Sequence, residues 1–325
     1  MSRRAGLFFH YWERFGILLV LALTLAVFSV LTPTILSVGN LLTVLSRSAV
    51  VAIPAMGMTF AICSGGFDLS VGSIVGLSTC VWAAALPVLG IGPATVLTMG
   101  TGAVCGALNG LAVTKLKIVT FVATLSMSFI IRSIALIATD GSKQMISRMD
   151  NPEAKFFSEN YSIFGHNFQL IQFLMMVLVF VVGYLLYRYT RFGVYSRSIG
   201  SHEPSARISG LPVNRTLIFV FMLTGLTASI SALITSSQMM QGAATLGVGF
   251  ELEVITATIL GGTSLAGGKG NIWGSMVAAI MLALMRNGLN LLGLSDEYQR
   301  LSIGLILLLA LAISGIQELT KEARK

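Results

Sequence analysis

The sequence predicts an all-α polytopic membrane protein, a single transmembrane domain over 1–325 with about ten helices and both termini in the cytoplasm. Of the 325 residues, 55% are hydrophobic and only 10% charged, and the mean hydropathy is +0.85, more apolar surface than a soluble core of this size can bury. The apolar residues fall in runs of membrane-crossing length between polar intervals. With the first interval inside, fourteen of the twenty-one Lys and Arg lie on the inner side, and the opposite orientation reverses that bias. The net charge of +8 is therefore read as helix orientation, which leaves no case for nucleic-acid binding.

Taken in order, Arg3, Arg4 and Arg14 precede an apolar run over 16–31 without a small-residue cleavage site, read as a retained in-to-out anchor. Pro33 and 37–40 make an outer turn, and 42–63 returns, with Pro54 as a kink that neighbouring helices must accommodate. The uncharged stretch 69–114 is too long for one crossing and fits two, broken near 87–93. Within it, Gly102, Gly106 and Gly110, four apart, place a glycine strip on one helix face, which in lipid permits close backbone contact. Lys115 and Lys117 mark an inner end. The run 118–138 then crosses outward with Arg132 near its outer end, where the long side chain would snorkel.

The interval 139–167 mixes charges of both signs around Asn151-Pro152 and reads as a periplasmic loop with some local order. After the crossing 168–187 comes 188–215, where Arg188, Arg191, Arg197, Arg207 and Arg215 face one acid, Glu203, and which therefore lies in the cytoplasm. The run 216–235 leads out and 236–249 connects. Next, 250–262 brings Glu251 and Glu253 to the membrane edge, and 261–271 turns inside with Lys269. Finally 272–285 leads out, 286–300 turns around Asp296 and Glu297, 301–316 returns, and Lys321, Arg324 and Lys325 stay inside.

Within 188–215, residues 201–210 read as a separate short helix. Ser201 suits the cap and Pro204 the first turn, where a missing N–H costs little; Gly210 followed by Pro212 ends it. Such a helix either lies on lipid headgroups or docks a soluble partner. Two turns share one spacing: Gly65-Gly66, Leu69 and Gly72 match Gly261-Gly262, Leu265 and Gly268. They are either hinged segments beside a transport path or tight packing turns, with duplication or a shared local demand behind the likeness. The second fails the phosphate-loop pattern around Lys269. Asp68 stands alone among apolar residues, where an acid at the bilayer centre would cost roughly 3 kcal/mol; it caps the turn or serves a polar path. Glu251 and Glu253 suit an ion pair or a cap better than proton transfer. Cys63, Cys80 and Cys105 sit in apolar segments as buried thiols, and His10, His166 and His202 are scattered, so no metal site or triad follows.

Together 57–73 (GMTFAICSGGFDLSVGS), 190–215 (TRFGVYSRSIGSHEPSARISGLPVNR) and 247–271 (GVGFELEVITATILGGTSLAGGKGN) resemble the permease subunits of bacterial ATP-binding-cassette importers for monosaccharides, of the ribose, allose, arabinose, xylose and galactose type. The resemblance implies a non-enzymatic, ten-helix permease of the inner membrane that pairs with a second permease, identical or not. It also implies cytoplasmic ATPase subunits, which hold the ATP and Mg so that this chain needs no cofactor, and a periplasmic sugar-binding protein. Carried onto this sequence, the coupling helix that fits the ATPase comprises Ser201, His202, Glu203, Pro204, Ala206, Arg207, Ile208 and Gly210. Path or gating turns fall on Gly65, Gly66, Asp68, Ser70, Gly72, Gly261, Gly262 and Gly268. For a neutral sugar, Ser64, Ser70, Ser73, Asn109, Thr124, Ser126 and Ser128 offer matching hydroxyl or amide groups. An ATP-independent secondary transporter or channel is the competing reading; it calls for an intramembrane charge relay and no docking helix.

Overall fold

A computed structural model describes residues 3–163 and 165–322, with side chains described for 16–163 and 165–312. The inner-side assignments of Arg3, Arg4, Arg14, Lys321, Arg324 and Lys325 lie outside the residues with described side chains. The helices are α1 (Arg3–Leu31), α2 (Val38–Arg47), α3 (Ala49–Cys63), α4 (Val71–Leu89), α5 (Ile91–Lys115), α6 (Thr120–Ala138) and α7 (Leu170–Tyr189). They continue with α8 (Arg191–Ser201), α9 (Glu203–Ile208), α10 (Val213–Met239), α11 (Phe250–Leu260), α12 (Ile272–Leu291) and α13 (Asp296–Glu322). Among the described residues, seven helical stretches are long and apolar enough to cross a membrane, with α2 and α3 together forming one of 26 residues. The other expected crossings fall on α1, α11 and α13. Of these, α11 has 11 residues, which at 1.5 Å each reach only about half of a ~30 Å hydrocarbon layer.

Among the described residues the strands lie at the end of the bundle opposite α9. There β1 (Gln144–Met145) pairs antiparallel with β4 (Gln241–Gly242), and β2 (Tyr161–Ile163) with β3 (His166–Phe168). The loop 139–167 thus has the local order its composition suggests, including a 3-10 segment Pro152–Ser158.

Helix α10 runs through the centre, packed against α3, α4 and α5. The glycine strip explains the closest of these contacts. A methyl added at Gly106 would collide with the Phe221 carbonyl, one at Gly102 with the Gly225 carbonyl, and one at Gly110 would lie 2.6 Å from the Ile218 Cα. Gly100, on the same helix, has nothing within 4 Å of such a methyl. Gly106→Ala is therefore expected to lower thermal stability in detergent by about 1–3 kcal/mol through overpacking. Gly100→Ala should be neutral or gain up to about 1 kcal/mol of helix propensity. Size-exclusion after a heat series reads both, and equal melting of the two variants would refute the strip.

Proline 54 is accommodated as its chemistry requires. Lacking an N–H, it frees the Val50 carbonyl four residues back, and the Ser231 hydroxyl of α10 donates to that carbonyl at 2.7 Å. The helix itself breaks earlier, at Ser48, whose hydroxyl donates to the Leu45 carbonyl at 2.7 Å. Arg132 does not snorkel. Its guanidinium donates to the Ala244 carbonyl in the connection between α10 and α11. Pro87 and Pro93 flank a break at Gly90, between α4 and α5. The three cysteines are free and buried.

Candidate functional site

The chain leaves α3 through Ser64 and Gly65, whose φ of +84° suits glycine. It then runs without regular structure to Ser70, the cap residue of α4. Backbone of this kind inside a bundle needs partners for its polar groups, and the side chains around it supply them. The Leu69 N–H donates to the Thr124 Oγ1 at 3.1 Å, and that hydroxyl lies 3.1 Å from the Phe67 carbonyl. Gly66 packs at 3.2–3.3 Å, methyl-equivalent distance, from Thr120 and Phe221.

Asp68 is fully buried and is the knot of this turn. Its Oδ1 accepts from the Ser70 N–H at 2.9 Å, the Ser70 hydroxyl at 2.6 Å and the Asn109 amide at 3.3 Å. Its Oδ2 accepts from the Thr224 hydroxyl of α10. The carboxylate thus closes a local turn onto Ser70 and ties that turn to α5 and α10. Of the polar residues expected for a sugar, Ser70, Ser73, Asn109 and Thr124 are fully buried and bonded within this region. Ser64 is buried with its hydroxyl unpartnered, Ser128 is half-buried and Ser126 is exposed on α6.

The second turn has the same residue spacing and a different backbone. Positive φ falls on Gly262 (+92°), Gly267 (+80°) and Gly268 (+74°), whereas in the first it falls on Gly65 alone. Gly72 lies inside α4, where it packs on the Gly247 carbonyl and the Glu251 carboxylate, while Gly268 remains in the loop. Gly261 packs on the first turn of α12, and a methyl there would lie 2.5 Å from the Gly274 carbonyl carbon. Asn271 caps α12 by accepting from the Gly274 N–H at 3.0 Å.

The short helix is narrower than expected, and its cap is a different residue. Ser201 ends α8, with its hydroxyl donating to the Arg197 carbonyl at 2.9 Å. His202 caps α9, its Nδ1 accepting from the Ser205 N–H at 3.2 Å. Pro204 occupies the first turn as expected. At the other end Gly210, at φ +77°, closes a Schellman motif: its N–H donates to the Arg207 carbonyl at 3.0 Å, and the Leu211 N–H to the Ala206 carbonyl at 3.1 Å. Ala206 is buried against Ile199, Val213 and Leu217, which fixes α9 to α8 and α10. The free face presents Glu203 and Arg207, paired at 2.7 Å, beside Ile208, which is 88% exposed.

These features meet. A methyl at Gly65 would lie 3.7 Å from the Gly200 Cα, and the Gly268 N–H donates to the Cys63 carbonyl at 2.8 Å. Both glycine turns therefore adjoin the last turn of α8, at the α9 end of the bundle. At the opposite end Glu253 pairs with Arg286 of α12, the ion-pair option of the sequence reading. That pair lines a cavity of ≈310 Å³ with Asp296, Gln299 and Arg300 of α13. No spacing in the sequence couples 253 to 286, so this cluster was not legible beforehand.

Comparison with known proteins adds an independent line. The family described as "Branched-chain amino acid transport system / permease component" matches residues 40–311. The chain is 36% identical over 309 residues to the ribose import permease protein RbsC of Escherichia coli K12, covering 92% of each. It is 36% identical over 307 residues to RbsC of Bacillus subtilis, covering 93% of this chain and 92% of the relative. To the L-arabinose transport system permease protein AraH of Escherichia coli K12 it is 35% identical over 317 residues, covering 95% and 93%. No solved structure gives a significant match.

Proposed function

The chain belongs to the family of branched-chain amino acid transport system permease components, with ribose and L-arabinose import permeases among its relatives, and from that premise we propose that it forms the membrane path of an ATP-driven importer for a monosaccharide, a ribose- or allose-like pentose or hexose. It is a multi-pass inner-membrane permease and not an enzyme. In this reading 1–325 is one transmembrane domain with ten crossings, one of them shared by α11 and the connection before it, which packs along α4 from Thr79 to Gly72, and both termini are cytoplasmic; 188–215 faces the cytoplasm and 139–167 the periplasm. A separate ATP-binding-cassette subunit binds ATP and Mg, a periplasmic binding protein delivers the sugar, and a second permease completes the path.

One observation carries the reading beyond family likeness: α9 is capped at both ends, seated by Ala206, and turns Glu203, Arg207 and Ile208 away from the protein. A helix held so firmly with a charged and apolar free face suits a partner that pushes on it. When the ATPases close on ATP, α9 moves with them, and the cavity between the permease halves exchanges inward for outward access. Asp68 serves as a fixed anchor, and a neutral sugar is met by uncharged groups such as Ser126, which is exposed on α6.

The test is reconstitution. Proteoliposomes holding the permease and its ATPase, given binding protein outside and ATP at the ATPase face, should accumulate sugar. Sugar movement by the permease alone would instead establish the ATP-independent carrier or channel.

A further inference from the structure

The last turn of α8 is in backbone contact with two other segments at once. A methyl at Gly200 would collide with the Cys63 carbonyl at the end of α3 and lie 2.7 Å from the Gly268 nitrogen. One at Gly267 would lie 2.5 Å from the Gly200 carbonyl, and one at Gly268 would collide with the Ser201 hydroxyl. We propose that this junction, with Gly200, Gly267 and Gly268 as positioning residues, is the linkage that carries displacement of α9 into both glycine turns together. The inference rests on the reading of α9 as the ATPase-docking element.

The physical case is stiffness. Side chains between two elements can change rotamer and absorb a shift, whereas backbone packed on backbone has no such slack. The two segments that α8 packs against are also bonded to each other, through the Gly268 N–H and the Cys63 carbonyl at 2.8 Å. Tyr187 braces the same point. Its hydroxyl accepts from the Gly270 N–H at 2.8 Å and lies 3.8 Å from the Cys63 Sγ, while the Arg197 guanidinium of α8 sits 4.8 Å above its ring. The far end of α8 is equally tight, since a methyl at Gly193 would lie 2.6 Å from the Tyr187 Cα. Pressed at α9, the α8–α9 unit has nowhere to move without carrying Cys63 and the 263–270 loop, and those residues lead directly into the turns before α4 and α12.

The native thiols provide the measurement. Cys63 is fully buried under Gly200, while Cys80 and Cys105 are buried elsewhere. In the assembled transporter, alkylation of Cys63 should change by about threefold or more between nucleotide-free and ATP-trapped states, with Cys80 and Cys105 unchanged. Gly200→Ala should keep the ATPase bound and its hydrolysis within about twofold, yet lower sugar imported per ATP by about fivefold or more. Equal Cys63 reactivity in the two states, or unaltered sugar per ATP in Gly200→Ala, would overturn the linkage. If Gly200→Ala fails to accumulate, the Cys63 measurement on the natural chain decides alone. Loss of the docking reading looks different: the ATPase would then bind equally well after Glu203 and Arg207 are exchanged.

Discussion

Exchanging the charges of α9, Glu203→Arg together with Arg207→Glu, is expected to lower sugar uptake by about tenfold or more with unchanged amounts of folded permease in the membrane. The two side chains pair with each other across one helical turn and are about half exposed. Such a pair contributes about 0.2–0.5 kcal/mol and survives in reversed order, so the exchange leaves the fold almost untouched. The Arg207 bond to Asn214 at 3.0 Å is lost as well, but it too lies on the surface. What changes is the pattern offered to a partner: a cation stands where an anion was and the reverse. Like charges brought together at an interface cost several kcal/mol, far more than the intrahelical term. Uptake assays beside quantified membrane levels separate the effects. Unchanged uptake would mean that α9 is not the contact.

The parts of this molecule that were legible in its sequence are those set by local pattern. Gly102, Gly106 and Gly110 announce a packing face because four-residue spacing stacks them on one side, and α10 lies there. Gly210 announces the end of α9 because only a left-handed residue closes a Schellman motif cheaply. The cap was misplaced for a physical reason. Ser201 and His202 both carry an acceptor, and the choice falls to His202 because Ser201 is the last residue of α8, a helix that the sequence reading of 188–215 did not include. The break at Ser48 contains neither Gly nor Pro to mark it. Equal spacing in the two glycine turns concealed unequal backbones, since φ depends on what each glycine packs against. The role of Gly200 could not be read at all, because its partners Cys63 and Gly268 are distant in the chain.

Asp68 should show a graded response that distinguishes an anchor from a proton carrier. In Asp68→Asn, the remaining oxygen can keep the three donors now on Oδ1, and the new amide can turn to the Thr224 hydroxyl, which already donates to the Phe221 carbonyl at 2.7 Å. Bonds to a neutral amide are weaker than those to a carboxylate, so uptake and thermal stability should fall only in part, by about two- to fivefold in rate. In Asp68→Leu the Ser70 N–H and hydroxyl lose their acceptor, while Asn109 keeps only its bond to the Ser70 hydroxyl and Thr224 only its bond to the Phe221 carbonyl, all of them fully buried. Each unsatisfied buried donor costs about 1–3 kcal/mol, so the two on Ser70 remove about 2–6 kcal/mol, a large share of the 5–15 kcal/mol that holds a typical protein folded. That variant should not accumulate in the membrane. A carboxylate that carried a proton would behave otherwise: Asn, which cannot ionise, would abolish transport as completely as Leu while leaving a folded protein. Normal accumulation of Asp68→Leu would remove the anchor, and with it the account of how the first glycine turn is held between α5 and α10.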